Sequence, residues 1–475
     1  MIPLHSQRPL NAKEASYLMQ KFTNNIVVCG SVHIERSVFS VSAIQEAFVR
    51  ASRQLQHEYP LWASTIINTG TNESPNYVFE MNDADQDSMN FTTVLVQQTL
   101  NLASKEQLCR ICADEVKASP IQLPRIRLLV PSLIESDLLT MDPATLNINR
   151  IVVIMTVPHT MADGRSAMEM FRRLLTCAFT TQDPIASELP QTLSDSNLLI
   201  VPKNALPLWY IIGIYIYYIC FLIWYIHRAH PVTLPRILSS DPSPVLQNHR
   251  QLPQDLIAAS SHFDILLLDA AESTLLLVAS KKLGATVTTL LAFAIAKSIA
   301  TVTMAPINSN MIGGIATDIR PRLGIPRHIN GCFTLGVLIP HRIHQSDFDT
   351  LADIGRTIKQ RAYGKAQFLS SLFLDKKPRQ TIVEAKKKQS DIHLAYAVSS
   401  LGLYDAIELG EDVSVHGVFF GTAASPLMGA HIQLHAITFD HCLSVSVSAP
   451  EILVGKNDFN ACMTVLRQYI SKLCQ

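Results

Sequence analysis

Short apolar runs alternate with helical patterns along this chain, and this alternation occurs in two blocks. In the first block, the spacing of apolar positions predicts strands over 25–34, 125–130 and 151–157 and helices over 41–57, 105–117 and 165–179. In the second block, it predicts strands over 262–268, 311–318, 392–399, 413–419, 432–439 and 443–447 and helices over 271–283, 286–302 and 459–473. Both blocks therefore have a mixed α/β pattern.

The segment between the blocks, residues 208–226 (LWYIIGIYIYYICFLIWYI), contains 19 residues without a charge. As a helix it would be about 28 Å long, close to the thickness of a bilayer core. Tryptophan and tyrosine occur near both ends, as in the aromatic belts of membrane interfaces. The segment is either a buried or interdomain helix or a membrane contact, and we expect the latter. We divide the chain into domains over 1–200 and 241–475, joined by an apolar membrane-associating linker over 201–240.

Composition agrees with an apolar surface and argues against nucleic-acid binding. Charged residues make up 16% of the 475 positions, against about 25% in ordinary soluble domains. Lys and Arg total 39, as do Asp and Glu, so there is no basic excess to neutralise phosphates. The nine cysteines have no repeated spacing, and the first residues contain no apolar leader. We therefore expect reduced thiols and a cytoplasmic protein that associates with the cytosolic face of a membrane.

A C-x-x-C pair, Cys109 and Cys112, falls within the predicted helix 105–117. A structural zinc site needs four ligands, and the chain offers no second pair at a suitable spacing. A thioredoxin-like redox pair would need a different structural context. We expect no metal site here.

The clearest candidate for chemistry is HTMADG, which follows the predicted strand 151–157. Pro158 and His159 stand at the carboxyl end of that strand, and Asp163 and Gly164 precede the helix 165–179. An imidazole is well suited to removing a proton from a hydroxyl near neutral pH. Taken alone, the motif has a simpler interpretation, in which Asp163 caps the helix and His159 is an ordinary strand-end histidine.

With its surroundings, the chain resembles the H-x-x-x-D acyltransferase superfamily, which includes alcohol acetyltransferases, wax ester synthases, nonribosomal peptide condensation domains and polyketide-associated acyltransferases. The resemblance rests on HTMADG and on three later stretches, GATVTTLLAFAIAKSIA (284–300), TDIRPRLGIP (317–326) and AVSSLGLYD (397–405). It implies an α/β fold of two chloramphenicol-acetyltransferase-like domains with the active site in a tunnel between them.

The resemblance also implies a direct acyl transfer from a thioester to a hydroxyl or amine, without an acyl-enzyme. His159 would be the general base. Asp163, Gly164 and Arg320 would support the motif, with Asp163 facing away from the substrate in a salt bridge to Arg320. Acyl-CoA would be a co-substrate, and no permanently bound cofactor is expected. Lys281 and Lys282 could meet coenzyme A phosphates or simply end a solvated helix.

Departures from the family patterns limit which subfamily the chain resembles. Pro158 stands where condensation domains and wax ester synthases usually have a first histidine, and Ser400 stands where an S-N-L-G pattern has asparagine. The D-F-G-W-G signature of plant members is absent, and its nearest equivalent is GVFFGT at 417–422. An alcohol acetyltransferase or polyketide-associated type therefore fits best, acting on a hydrophobic alcohol or lipid. A carrier-dependent, amide-forming condensation enzyme and a catalytically inactive relative are the alternatives.

Overall fold

The computed structural model describes residues 7–9, 25–35, 40–59, 61–62, 64–70, 77–81, 93–99, 105–116, 124–131, 149–180, 261–326, 329–362, 394–423, 430–451 and 453–475. The predicted linker 201–240, with its apolar segment 208–226, lies outside these residues. The membrane contact predicted for that segment therefore stays a prediction.

The described residues form a mixed α/β structure. The strands are β1 (Gln7–Pro9), β2 (Asn25–Ile34), β3 (Ser64–Asn68), β4 (Tyr77–Met81), β5 (Thr93–Thr99), β6 (Arg125–Pro131), β7 (Arg150–Pro158), β8 (Ser261–Leu267), β9 (Asn310–Asp318), β10 (Thr334–Arg342), β11 (Leu394–Tyr404), β12 (Val413–Thr422), β13 (Ala430–Phe439) and β14 (Cys442–Pro450). The helices are α1 (Val41–Glu58), α2 (Lys105–Val116), α3 (Gly164–Phe179), α4 (Ala270–Lys282), α5 (Val287–Val302), α6 (Arg320–Leu323), α7 (Asp347–Ala362) and α8 (Lys456–Leu473).

The first sheet has the strand order β12-β2-β7-β6-β5, and β7 lies at its centre. β7 is buried on both faces because its side chains alternate between two apolar clusters. Val153 and Met155 belong to a cluster that includes residues of α1 and α3, whereas Val152 and Ile154 belong to one that includes residues of α2. This packing fixes the carboxyl end of β7, where the H-x-x-x-D motif begins.

The second sheet has the order β10-β9-β11-β13-β14-β8, with β9, β11 and β13 parallel to one another. Helices α5, α7 and α8 contribute to the apolar cluster on one face of it. α5 lies in the middle of this cluster, since its run of apolar residues has buried positions all around the helix. A third, small sheet has the order β1-β4-β3.

β12 joins the two blocks. It follows β11 of the second sheet, yet it pairs antiparallel with β2 at the edge of the first sheet, from Val413 opposite Ile34 to Thr422 opposite Ile26. β13 then continues the second sheet. The predicted domain bounds 1–200 and 241–475 stay predictions, but β12 lies within the second range and belongs to the first sheet.

Within the described part of the chain, no single helix has both the length and the hydropathy of a membrane span. Helices α4 and α5 satisfy the criterion only as a pair, across a bend of 95°. Most of α5 is buried in the core of the second block.

Candidate active site

The H-x-x-x-D motif forms the connection from β7 to α3. His159 is half-buried and follows the last residue of the strand. The chain then turns, with the Met161 amide donating to the Pro158 carbonyl at 2.9 Å. Asp163 begins the helix as its N-cap, because its Oδ1 accepts from the Ser166 amide at 2.9 Å. Asp163 therefore caps the helix, as the simpler interpretation of the motif predicted, and it also has a second role.

Asp163 also pairs with Arg320, and both side chains are only 1% exposed. The guanidinium donates two parallel bonds, from Nη1 to Oδ2 at 2.8 Å and from Nη2 to Oδ1 at 3.2 Å. Oδ2 accepts a further bond from the Phe333 amide at 2.9 Å. Burial acts to raise the pKa of Asp163, but Arg320 and the two amides outweigh it and hold the pKa below its usual value. The carboxylate is charged and fully hydrogen-bonded, so it supports the motif and cannot serve as a base.

Arg320 also bonds to several other acceptors around the motif. Its guanidinium donates to Ser166 Oγ at 2.6 Å, to Asp318 Oδ1 at 3.1 Å and to the Ile329 and Gly331 carbonyls at 3.1 and 3.3 Å. A buried guanidinium is tolerated only when its donors are satisfied in this way. Arg320 thereby links the start of α3 to the segment that leads into β10.

Gly164 is required by close packing. A Cβ atom at this position would lie 3.0 Å from the Phe420 ring and 3.2 Å from Leu401. Phe420 belongs to β12 and Leu401 to β11, so the first turn of α3 is pressed against residues from the second block of the sequence. A larger side chain would require the Phe420 ring and the Leu401 side chain to shift.

Cys332 lies beside His159 and was not identified from the sequence. Its buried thiol donates to the His159 carbonyl oxygen, with Sγ at 2.7 Å, and Sγ is 4.0 Å from His159 Nδ1. The neighbouring Gly331 carbonyl accepts from the Asp163 amide at 3.1 Å. The thiol thus contacts the Nδ1 side of the imidazole. No local pattern could indicate this contact, since 173 residues separate the two side chains.

A buried polar cluster lies where β12 meets β13 and β14. Thr422 Oγ1 is 3.2 Å from Gln433 Oε1 and 3.1 Å from His435 Nε2. Ser446 and Ser448 donate to the carbonyls of Phe420 and Thr422 at 2.5 and 2.9 Å. We call Thr422, Gln433, His435, Ser446 and Ser448 the polar junction. Burial, and secondarily the charge of His159, lower the pKa of His435 to about 3, so His435 is close enough to His159 to be affected by its charge.

The remaining candidates take no part in this arrangement. Ser400 is half-buried on β11 next to an irregularity in the pairing with β13. Lys281 and Lys282 are exposed at the end of α4. Cys109 and Cys112 are buried, and burial first of all raises the pKa of Cys109 to about 12, the opposite of a reactive thiolate. Among the described residues, no three His, Cys, Asp or Glu side chains are grouped to hold a metal ion.

Comparison with known proteins identifies the fold. No family model matches the chain, and no curated protein matches its sequence. Among solved structures, the TRI3 trichothecene 15-O-acetyltransferase from Fusarium sporotrichioides has a TM-score of 0.70 at 14% identity, over 99% of this chain and 95% of that one. The first condensation domain of the calcium-dependent antibiotic synthetase has a TM-score of 0.65 at 11% identity, over 99% and 96%. The condensation domain of the Monacolin K polyketide synthase MokA has a TM-score of 0.58 at 14% identity, over 99% and 97%.

The chain therefore has the mixed α/β fold that H-x-x-x-D acyltransferases share with condensation domains. The resemblance predicted from the sequence is confirmed at the level of the fold. Identities this low show the fold alone, and the activity has to be argued from the residues of the site.

Proposed function

We propose that this chain is an O-acyltransferase that moves an acyl group from acyl-CoA to a hydroxyl of a hydrophobic alcohol or lipid. The observation that carries the proposal is the position of His159. It is half-buried at the end of β7, on a turn held by the buried Asp163–Arg320 pair, and it lies near the polar junction. The structural likeness to a 15-O-acetyltransferase supports transfer to oxygen.

In the proposed mechanism His159 is the general base. The alcohol oxygen attacks the thioester carbonyl carbon while His159 Nε2 takes the hydroxyl proton, so the new C–O bond forms without an acyl-enzyme. When the C–S bond breaks, His159 returns the proton to the departing thiolate of coenzyme A. Cys332 Sγ lies 4.0 Å from Nδ1, and Nε2 is the nitrogen that we assign to both transfers. A positioned base contributes about 10²–10⁴ in rate.

The proposal includes the tunnel between two chloramphenicol-acetyltransferase-like domains, with acyl-CoA entering one mouth and the acceptor the other. The position of β12 in the first sheet supports it, because Phe420 of β12, from the second sequence block, lies against Gly164 of the H-x-x-x-D motif. A carrier-dependent condensation enzyme is the second candidate, favoured by the likeness to condensation domains. Pro158 disfavours it, since it replaces the first histidine of their motif.

The test is a transfer assay with the full chain. Acetyl-CoA and longer acyl-CoA thioesters are each incubated with a panel of matched alcohols and amines, and the products are identified by mass spectrometry. We expect esters that increase with enzyme concentration. Amides with little ester would favour the condensation alternative. Absence of any product, with the protein folded, would favour an inactive relative.

We also propose that the protein contacts the cytosolic face of a membrane. Besides the apolar segment 208–226, helix α4 supports this. Its buried positions include two serines, Ser273 and Ser280, whereas Leu275, Leu277 and Val278 are each about half exposed. An exposed apolar helix surface next to Lys281 and Lys282 suits an anionic lipid surface.

Replacing both Leu275 and Val278 with serine is expected to lower the affinity of the chain for vesicles of phosphatidylcholine and phosphatidylserine by about tenfold, because each residue loses apolar area that lipid would cover. Co-sedimentation measures the effect. Phe348→Ser is the control, because Phe348 is 64% exposed on α7 and should not affect binding. Equal sedimentation of the double variant and the parent, or unchanged recovery after deletion of 208–226, would contradict the proposed contact.

A further inference from the structure

Arg165, the residue that follows HTMADG, joins the start of α3 to the second block. It is the second residue of the helix, and its side chain is 22% exposed. The guanidinium pairs through Nε with Asp318 Oδ2 at 3.0 Å and donates from Nη2 to the Leu401 carbonyl oxygen at 3.3 Å. Its Cζ atom lies 5.8 Å from the centre of the Tyr404 ring. These three partners lie on β9 or β11, so Arg165 ties the motif to the second sheet.

Asp318 connects this arginine to the buried Asp163–Arg320 pair. Its Oδ1 accepts from the Arg320 backbone amide and from Nη1 of the same residue, both at 3.1 Å, while its Oδ2 pairs with Arg165. The carboxylate is 25% exposed, and a partly buried pair of this kind is screened less by salt than a fully exposed one. Negative and positive side chains therefore alternate along a chain of contacts that leaves the motif at Asp163 and returns to α3 at Arg165.

Two ion pairs thus attach the first turn of α3 to the second block. One is the Asp163–Arg320 pair, and the other is the Arg165–Asp318 pair, two residues further along the helix. Only three residues separate His159 from Asp163. Displacing a reacting group by about 1 Å can lower a rate by about 10². The loss of either attachment is therefore expected to displace the imidazole relative to the second block.

We infer that Asp318 and Arg165 are positioning residues for His159. They hold the start of α3 against the second block in the arrangement in which the imidazole can take the proton of the acceptor hydroxyl. The inference rests on the proposed acyl transfer, and it assigns neither side chain a contact with substrate. Asp318 acts through its two arginine partners, and Arg165 acts through the first turn of α3.

A second carboxylate, Asp264, offers a matched control. It lies on β8, is 19% exposed, and pairs with one cation from each block. Its Oδ1 is 2.5 Å from Nζ of Lys105 at the start of α2, and its Oδ2 is 2.6 Å from Nη2 of Arg467 on α8. It also accepts a bond from a backbone amide, that of Ile265, at 2.7 Å. Asp264 therefore has the same kinds of partner as Asp318, but none of these partners belongs to the motif.

The first arm of the test compares Asp318→Asn with Asp264→Asn in the full chain. Asparagine keeps an oxygen that can accept from Arg320, but its amide nitrogen is a donor and cannot accept from Arg165. We expect the two variants to lose similar thermal stability. Asp318→Asn should lower kcat by about tenfold and leave the KM values for acetyl-CoA and 1-octanol within about twofold of the parent, whereas Asp264→Asn should keep the parental kcat. Equal kcat values for the two variants would overturn the inference.

The second arm removes the opposite charge. Arg165→Met should lower kcat as Asp318→Asn does, because each change breaks the same ion pair, and the double variant should be no slower than the slower single one. Arg165→Lys, which keeps a cation, should recover part of kcat. If kcat rose in one single variant and fell in the other, the two groups would act on His159 by their charge alone. That result, or effects that multiply in the double variant, would contradict a positioning role.

A spectroscopic measurement separates this inference from failure of the proposed function. The protein is labelled with ¹³C-histidine, and the His159 signal is the one missing from the spectrum of His159→Gln. Without any substrate, Asp318→Asn and Arg165→Met should each shift this signal, while Asp264→Asn should leave it in place. Such shifts support the positioning role even if the parent transfers no acyl group. A His159 signal that stays unchanged in both Asp318→Asn and Arg165→Met would show that the pair does not position the imidazole.

Discussion

Replacing His159 with alanine is expected to lower the rate of acyl transfer by about 10²–10⁴, because the change removes the proposed general base. The thermal transition should change little. His159 is half-buried and stands after the strand has ended, so its removal leaves the packing of β7 and the Asp163–Arg320 pair in place. Rates at saturating alcohol and acyl-CoA, with unfolding followed by circular dichroism, measure both effects.

His416→Ala serves as the matched control, since it removes an exposed imidazole from β12. We expect it to transfer acyl groups at the parental rate. If His159→Ala retained the activity of this control, His159 would have no part in the mechanism. The rate would then have to arise from orientation of the two substrates alone.

The strands were predicted more accurately than the contacts between them. Strand β7 was predicted within one residue at each end, because six of the seven residues from 151 to 157 are apolar, as expected for a strand buried on both faces. The strand of His435 was predicted over 432–439 and begins two residues earlier. Its contact with Thr422 of β12 could not be predicted, since β12 pairs with β2 across nearly 400 positions of the sequence, as between Phe420 and Val28.

Elements without a clear apolar pattern were missed. β10 (Thr334–Arg342) and α7 (Asp347–Ala362) were not predicted, although both complete the second block. β10 is an edge strand with partly exposed residues, so its apolar signal is weak. The alternation of serine with aliphatic residues in β14 was visible in the sequence. It could have indicated a buried polar face, had both faces of the strand been expected to be covered.

The pairing of Asp163 with Arg320 was predicted from the family resemblance alone. The 157 residues between them give no local signal. What the structure adds is the reason for the pairing. Asp163 must cap α3 through Oδ1, and a buried carboxylate in that place needs a compensating charge, which Arg320 supplies from the segment that follows β9.

Asp163→Ala is therefore expected to destabilise the protein strongly, by about 3–5 kcal/mol, because it leaves the buried Arg320 without its main partner. Asp269→Ala is the matched control. Asp269 caps α4 through the same type of bond to a backbone amide, at an exposed position with no arginine, and its loss should cost about 1 kcal/mol. Urea unfolding of the two variants, followed by circular dichroism, isolates the contribution of the ion pair. If the two variants lost the same amount of unfolding free energy, Asp163 would act as a helix cap only.

The pH dependence of the unfolding free energy gives a second measure of the Asp163–Arg320 ion pair. Burial alone would raise the pKa of Asp163, but Arg320 and the two amides bring it below the usual 3.8. A carboxyl group with a lowered pKa in the folded state stabilises the protein fully above its unfolded pKa, and that stabilisation is lost as the pH falls through the folded value. The difference in unfolding free energy between the parent and Asp163→Asn should therefore be constant from neutral pH down to about pH 5 and shrink below about pH 4. A difference that stays constant throughout the acid range would mean that the charge of Asp163 does not stabilise the fold.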